Sequence, residues 1–142
     1  MQLVIGRDLE IRGYRGTDEG FVYGSWLKHY WDIVEHDMRK SIFMQYHHKV
    51  IEGILERGSV RVACSSVDDD QIIGYMVIEG SILHYVYVKS PFRKSGVCKL
   101  LVKDVGLRSP LVVTHKTTFL PYLRIATEYN PYLRYTWVEQ RK

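Results

Sequence analysis

Three strand-like segments lie next to one another between residues 59 and 88, and they constrain the fold more than any other feature of the sequence. The segments are SVRVACS (59–65), IIGYMVI (72–78) and ILHYVYV (82–88). They are rich in valine, isoleucine and tyrosine, and short turn sequences separate them. Strands joined by short turns pair antiparallel, because a parallel connection needs a longer crossover. The sequence therefore predicts an antiparallel meander in the middle of the chain.

The segment after the meander predicts a parallel addition to the same sheet. An apolar helical pattern follows the third strand and stops at Gly106, and the strand PLVVT (110–114) comes next. Two strands of one sheet with a helix between them form a right-handed parallel crossover. The predicted sheet is therefore mixed and mostly antiparallel, with helices packed on both faces.

The remaining elements complete a predicted α/β fold. The N-terminal part contains a strand at LEIRGY (9–14), a helix that begins near Thr17, and a second helix that ends at Gly58. A short helix at FLPYLRIA (119–126) and a last strand at YLRYTWVE (132–139) follow the crossover. The predicted order is β-α-α-β-β-β-α-β-α-β.

Length and composition favour one domain spanning residues 1–142, with 46% hydrophobic and 25% charged residues. No apolar stretch is long enough to cross a bilayer and no signal peptide is visible, so we expect a cytoplasmic protein without a membrane partner.

Cys64 and Cys98 lack metal or redox spacing. His48 and Glu52 share a helix face, but a third ligand is not apparent and we expect no metal site.

The loop before the third helix has the features of an anion site. The net charge is −4 over residues 1–83 and +8 over residues 84–142. A helix that begins near Ser95 leaves backbone amides unpaired, and Gly96 lets a ligand approach them closely. The cations of the loop are Arg93, Lys94 and Lys99. The arrangement suits a phosphate-bearing ligand, and a solvated basic face is the alternative.

The same loop resembles the acyl-CoA-binding segment of the GCN5-related N-acetyltransferases (GNAT). That family's pattern is Gln/Arg-x-x-Gly-x-Gly/Ala; Arg93 and Gly96 match it, whereas Cys98 replaces the Gly or Ala. The element order also resembles that family over nearly the full chain. The resemblance implies a GNAT-like acyl-CoA N-acyltransferase fold, with acetyl-CoA or CoA as cosubstrate. The loop residues it implies for pyrophosphate binding are Arg93, Lys94, Ser95, Gly96, Val97, Cys98 and Lys99.

The resemblance also implies positions for the rest of the site. In the family, the strand before the loop bulges and splays from its parallel neighbour, and its backbone binds the pantetheine arm. The residues at this place are Val86, Tyr87 and Val88. Leu83-His84 is similar to the Leu-His of arylalkylamine N-acetyltransferases, which implies that His84 helps to remove the amine proton. A buried strand histidine with water-mediated deprotonation is the alternative.

A tyrosine is the implied acid. Many family members carry an Asn seven residues before a Tyr, and His115 and Tyr122 keep this spacing with His in place of Asn. The resemblance implies that Tyr122 protonates the departing CoA thiolate; core packing is the alternative for this tyrosine. A cysteine at a helix N-terminus, such as Cys98, favours a somewhat acidic thiol.

The sequence thus predicts an acetyl-CoA-dependent N-acetyltransferase that acts on a primary amine by direct transfer in a ternary complex. The acceptor, a small molecule or a protein, stays open. One alternative is a catalytically silent protein of the same fold that acts as a protein-binding or regulatory module, motivated by Cys98 and His115. Nucleic-acid binding by the basic half lacks a recognised motif and is not expected.

Three further expectations concern surfaces and origin. The aromatic stretch SWLKHYW (25–31) is predicted to be mostly core, with a wall of the acceptor site as the alternative. The compact chain also resembles acetyltransferase-like proteins encoded by bacteriophages. The last strands of such folds often pair, so a homodimer remains open.

Overall fold

The computed structural model describes residues 3–34 and 37–135, in which six strands form one sheet in chain order. The first four strands are antiparallel neighbours, the fifth is parallel to the fourth, and the sixth is parallel to the fifth. The strands are β1 (Leu9–Gly13), β2 (Ser59–Ser65), β3 (Ile72–Glu79), β4 (Ile82–Val88), β5 (Leu111–Val113) and β6 (Thr127–Tyr129). The predicted meander, the parallel crossover and the mixed α/β sheet are confirmed.

Helices cover both faces of the sheet, as predicted. The helices are α1 (Glu19–Ile33), α2 (Lys40–Arg57) and α3 (Val97–Val105). The apolar sides of α1 and α2 pack on one face in a cluster that includes Trp26 and Tyr85. The apolar side of α3 packs on the other face in a cluster that includes Val86 and Leu101. Each face buries its own core, and we call them the α1 face and the α3 face.

A bulge in β4 changes which side chains face which core. Val77 of β3 is opposite Tyr85 and Ile78 is opposite Leu83, so His84 has no partner in the register. Residues two apart in a regular strand share a face. Here Leu83 belongs to the α3-face cluster and Tyr85 to the α1-face cluster, because the extra residue reverses the alternation.

β4 and β5 separate immediately after this bulge. They pair only at Ile82 with Val112 and at Leu83 with Val113. The last backbone bond between them within the described residues runs from Thr114 N to Leu83 O, at 3.2 Å. The rest of β4 stays paired with β3 on its other side. The two parallel strands therefore diverge, and we call the gap between them the split.

The C-terminal part differs from the prediction. The sixth strand is Thr127–Tyr129, and the predicted strand at 132–139 instead begins with a 3-10 turn at Pro131–Arg134. Pro131 has no amide hydrogen for a strand ladder, and the side chain of Asn130 caps the turn by accepting a bond from Tyr132 N. Residues 136–139 lie outside the described part. The short helix predicted at 119–126 is a 3-10 turn at Leu120–Leu123.

Two further points concern the helices. In α2, Tyr46 is exposed and the neighbouring His47 is buried. No helix of the described residues is long and apolar enough to cross a membrane.

Candidate active site

A cavity of about 670 Å³ opens on the α3 face between the end of β4 and the segment that follows β5. Its walls include Val88 from β4, Val97 from α3 and Phe119 from beyond β5. Small-molecule sites in proteins have volumes of roughly 300–1,000 Å³. The cavity therefore has the size of a ligand site and lies at the split.

The first turn of α3 presents backbone amides to this cavity. Gly96 precedes the helix with a φ of 87°, a left-handed conformation that glycine adopts without strain. The first helical hydrogen bond from this turn runs from Leu100 N to Gly96 O. The amides of Val97, Cys98 and Lys99 have no hydrogen-bond acceptor among the described residues. Such amides carry partial positive charge and attract an anion.

Formal positive charge adds to these amides. Four cations line the cavity, and no carboxylate lies among its described lining residues. They are Arg93, Lys94, Lys99 and Arg124. Arg93 Nε donates to Val88 O at 2.8 Å, and its guanidinium lies over the rings of Tyr87 and Phe119. Arg93 is therefore held at the end of β4, where the split meets the loop.

Cys98 lies in the first turn of α3 and lines the cavity, with 6% of its surface exposed. Burial raises the pKa of its thiol to about 12, because the ionised form would lose its hydration. The expectation of a more acidic thiol is wrong, because burial shifts the pKa in the opposite direction. The thiol is neutral at physiological pH, and the cavity is present with Cys98 in place.

The structure brings eight of the twelve predicted site residues together in the cavity wall. These are Val88, Arg93, Lys94, Gly96, Val97, Cys98, Lys99 and Tyr122. Ser95 is buried instead, and its carbonyl accepts a bond from Leu3 N at 3.1 Å. Val86 is buried in the α3-face core, and Tyr87 packs against both cores. The cofactor-binding roles of these three residues, like those of the residues in the cavity wall, stay predictions.

His84 does not reach the cavity. Its side chain is fully buried, and both ring nitrogens have partners: Nε2 is 2.8 Å from Glu79 Oε1 and Nδ1 is 2.9 Å from Thr114 Oγ1. The bulge places it where β4 and β5 are still joined, before the split opens. The geometry therefore does not support direct contact between His84 and an acceptor amine.

His115 extends this buried chain of hydrogen bonds. Its Nδ1 is 3.0 Å from Thr114 Oγ1, and its Nε2 is 2.9 Å from His47 Nε2. Burial lowers the pKa of His47 to about 3 and that of His115 well below its usual range; Arg134 lowers both further. Both imidazoles are therefore neutral, and one Nε2 donates to the other. His115 faces α1 and α2 rather than Tyr122, so the spacing of the two residues does not place them together.

Tyr122 lies at the opposite wall of the cavity from α3. It belongs to the turn Leu120–Leu123, its amide donates to Phe119 O at 3.0 Å, and its side chain is 45% exposed. Tyr122 is therefore an exposed residue of the cavity wall and not a core residue.

Sequence reasoning missed four residues of the cavity wall, namely Phe92, Thr118, Phe119 and Arg124. The excess of basic residues after position 84 was the signal that could have indicated Arg124. Nothing in the local pattern marks Phe119, because its position follows from how the chain turns after β5.

No family model and no curated protein matches the chain. Several solved structures do. A possible acetyltransferase from Clostridium difficile 630 matches with a TM-score of 0.51 and 13% identity, over 70% of this chain and 69% of that one. A GCN5-related N-acetyltransferase from Rhodopseudomonas palustris matches with a TM-score of 0.52 and 11% identity, over 75% and 68%. YjaB from Escherichia coli in its apo form matches with a TM-score of 0.50 and 18% identity, over 68% and 63%.

All three proteins are bacterial and give no support to the bacteriophage resemblance. At identities of 13%, 18% and 11%, these matches indicate a shared fold and give no information about the substrate. The chain therefore has the α/β fold of the GCN5-related N-acetyltransferases.

Proposed function

We propose that the protein is an acetyl-CoA-dependent N-acetyltransferase that transfers the acetyl group directly to a primary amine in a ternary complex. The observation that carries the proposal is the cavity at the split, where the free amides of the α3 N-terminus meet four cations and no described carboxylate. A diphosphate fits these features because it is a compact anion with many acceptor oxygens.

The proposal includes a direction for the bound cofactor. The pyrophosphate lies on the amides of Val97, Cys98 and Lys99, and the pantetheine arm extends along the β4 edge that β5 leaves unpaired. Backbone groups on that edge are the natural partners of the two amides in the arm. The thioester then reaches the split near the bulge of β4.

The chemistry needs two proton transfers. The amine nitrogen attacks the thioester carbonyl as a free base, and the CoA sulfur leaves as a thiolate that requires a proton or a hydrogen bond. Tyr122, an exposed residue of the cavity wall, is the proposed proton donor. No covalent enzyme intermediate is required, and the four lysine and arginine side chains would hold the cofactor without a metal.

Cofactor binding tests the proposal most directly. Lys99→Ala removes one cation from the cavity, whereas Lys103→Ala removes the same charge from an exposed position one turn further along α3. We expect calorimetry to show CoA binding, weakened roughly tenfold by Lys99→Ala because a charge-assisted phosphate contact contributes about 1.5 kcal/mol. Lys103→Ala should bind like the wild type. A folded wild-type protein that does not respond to millimolar CoA would refute the proposal.

A second candidate function is a protein of this fold that binds a partner without catalysis. The observation that favours it is that Phe119 is buried beside Tyr87, with 4% exposure, while the carbonyl of Val88 already accepts a hydrogen bond from Arg93 Nε. Thiol release from acetyl-CoA in the presence of mixed amines separates the two functions, provided that CoA binding has been shown first.

A further inference from the structure

A half-buried histidine of α1, His29, lies across the split from the cavity. The centroid of its ring is 5.1 Å from that of Phe119 and 5.4 Å from that of Tyr87. Phe119 also lines the cavity, so its ring contacts the cavity on the α3 side and His29 on the α1 side. Tyr87 belongs to β4 and Phe119 follows β5. His29 therefore covers the split from the α1 face.

This position matters for the direction of attack. A cofactor in the cavity occupies the α3 side of the split, and a nucleophile needs a free path to the thioester carbonyl. The α1 face is the opposite side. We propose that His29 accepts the proton of the amine acceptor there, an inference that rests on the proposed function.

The hydrogen bonds of His29 leave one ring nitrogen available. Its Nδ1 is 2.6 Å from Tyr85 Oη, and no described residue bonds to its Nε2. In the tautomer whose Nδ1–H donates to the Tyr85 oxygen, which is the one the proposal requires, Nε2 carries the lone pair. His84 and His115 differ in this respect, because both nitrogens of each ring have partners.

The charges around His29 keep the ring neutral. The titratable or charged groups that face it among the described residues are Lys28 and Asp32 from α1, Tyr85 and Tyr87 from β4, and Arg93 from the loop. Burial lowers the pKa of His29 below its usual range, Arg93 and Lys28 lower it further, and Asp32 partly opposes them. Burial also keeps Tyr85 protonated by raising its pKa well above 10. The imidazole is thus in the form that accepts a proton.

Each bond formed in the proposed transfer is matched by a bond broken, and each proton has a donor and an acceptor. The amine nitrogen forms a bond to the acetyl carbon, the carbonyl electrons move to oxygen, and their return breaks the carbon–sulfur bond. The proton lost by the amine goes to His29 Nε2 and then to solvent. The CoA thiolate takes its proton from Tyr122, which is reprotonated by solvent.

The test begins with the wild-type protein. Calorimetry measures CoA binding, and thiol release measures turnover of acetyl-CoA with spermidine, phenethylamine and a lysine-containing peptide as amine probes. His29→Gln removes the base, His29→Ala makes room for free imidazole, and His48→Gln removes an exposed histidine that stacks on Tyr23.

We expect His29→Gln to lower kcat/KM roughly 100-fold, the usual effect of losing a general base, while its Kd for CoA stays within about twofold of the wild type. The acidic limb of the wild-type kcat/KM profile should disappear in His29→Gln. Imidazole should restore part of the activity of His29→Ala, and His48→Gln should match the wild type. Unchanged kcat/KM and an unchanged pH profile in His29→Gln would overturn the inference.

A binding readout covers the case in which none of the probes is acetylated. The imidazole resonances of His29, assigned by comparison with His29→Gln, should shift when acetyl-CoA saturates the protein. CoA binding with unmoved His29 resonances would overturn this inference alone. Absence of CoA binding would overturn the proposed function and the inference with it.

Discussion

Acidification should destabilise the protein through the buried pair His47 and His115. An unfolded histidine titrates near pH 6.5, whereas burial lowers the pKa of His47 to about 3 in the folded protein. As pH falls below 6.5, the unfolded chain binds protons that the folded chain cannot bind. The free energy of unfolding therefore decreases as the pH falls below 6.5, and the decrease ends only near the folded pKa.

The size of the effect follows from this displacement. Between pH 7 and pH 5, one histidine with a folded pKa of about 3 removes about 2 kcal/mol from the free energy of unfolding. His115 acts in the same direction, and the loss from His47 alone is already a large share of a typical total of about 5–15 kcal/mol. His29 adds to the same trend, and the carboxylate of Asp18, whose pKa Arg12 lowers, acts mainly below pH 5.

Urea denaturation at pH 7, 6 and 5 measures this dependence. His47→Gln should lose the part that comes from His47, about 2 kcal/mol between pH 7 and pH 5, because glutamine does not titrate and its amide can still donate to His115 Nε2. His48→Gln, on the exposed side of the same helix, should keep the full dependence of the wild type. A free energy of unfolding that stays constant from pH 7 to pH 5, or equal slopes in the wild type and His47→Gln, would refute the reasoning.

Two further predictions test the cavity and the sheet. Tyr122→Phe should lower kcat roughly 100-fold while leaving the Kd for CoA nearly unchanged, because only the hydroxyl is lost. The control is Tyr132→Phe, which changes an exposed tyrosine outside the cavity wall. Equal kcat values in Tyr122→Phe and the wild type would exclude Tyr122 as the acid. Gly74→Ala should lower the free energy of unfolding by about 1–3 kcal/mol, because the added Cβ would lie 2.6 Å from the carbonyl oxygen of Tyr87. Urea denaturation measures this loss, and Gly20→Ala, whose Cβ meets nothing within 4 Å, should show none.

The sequence predicted much of the fold because local patterns encode it. The three strands between residues 59 and 88 alternate, end in turns and recur at short intervals, so an antiparallel meander needs no long-range information. The helix between two strand patterns likewise implied the parallel pair β4–β5. The loop from Arg93 to Lys99 was recognisable because glycine, cations and a helix start are contiguous in the chain.

Pro131 and Asn130 illustrate where local patterns mislead. The aromatic run at 132–135 is typical of a strand, but the proline and the asparagine cap favour a turn, and β6 forms earlier at Thr127–Tyr129.

The alternation of β4 misleads in a similar way. One extra residue at His84 reverses the faces of the side chains before and after it, and no residue type at that position announces a bulge.

The sequence by itself determined the order of elements and indicated the loop that is proposed to bind an anion, since both depend on residues that are neighbours in the chain. The tertiary structure decided which side chains meet across the sheet. His47 and His115 are 68 positions apart, yet their nitrogens lie 2.9 Å from each other. Arg124 joins the loop cations, and His29 reaches Phe119, only because β4 and β5 diverge. Such contacts depend on the packing of helices against two faces, which periodicity within one segment does not encode.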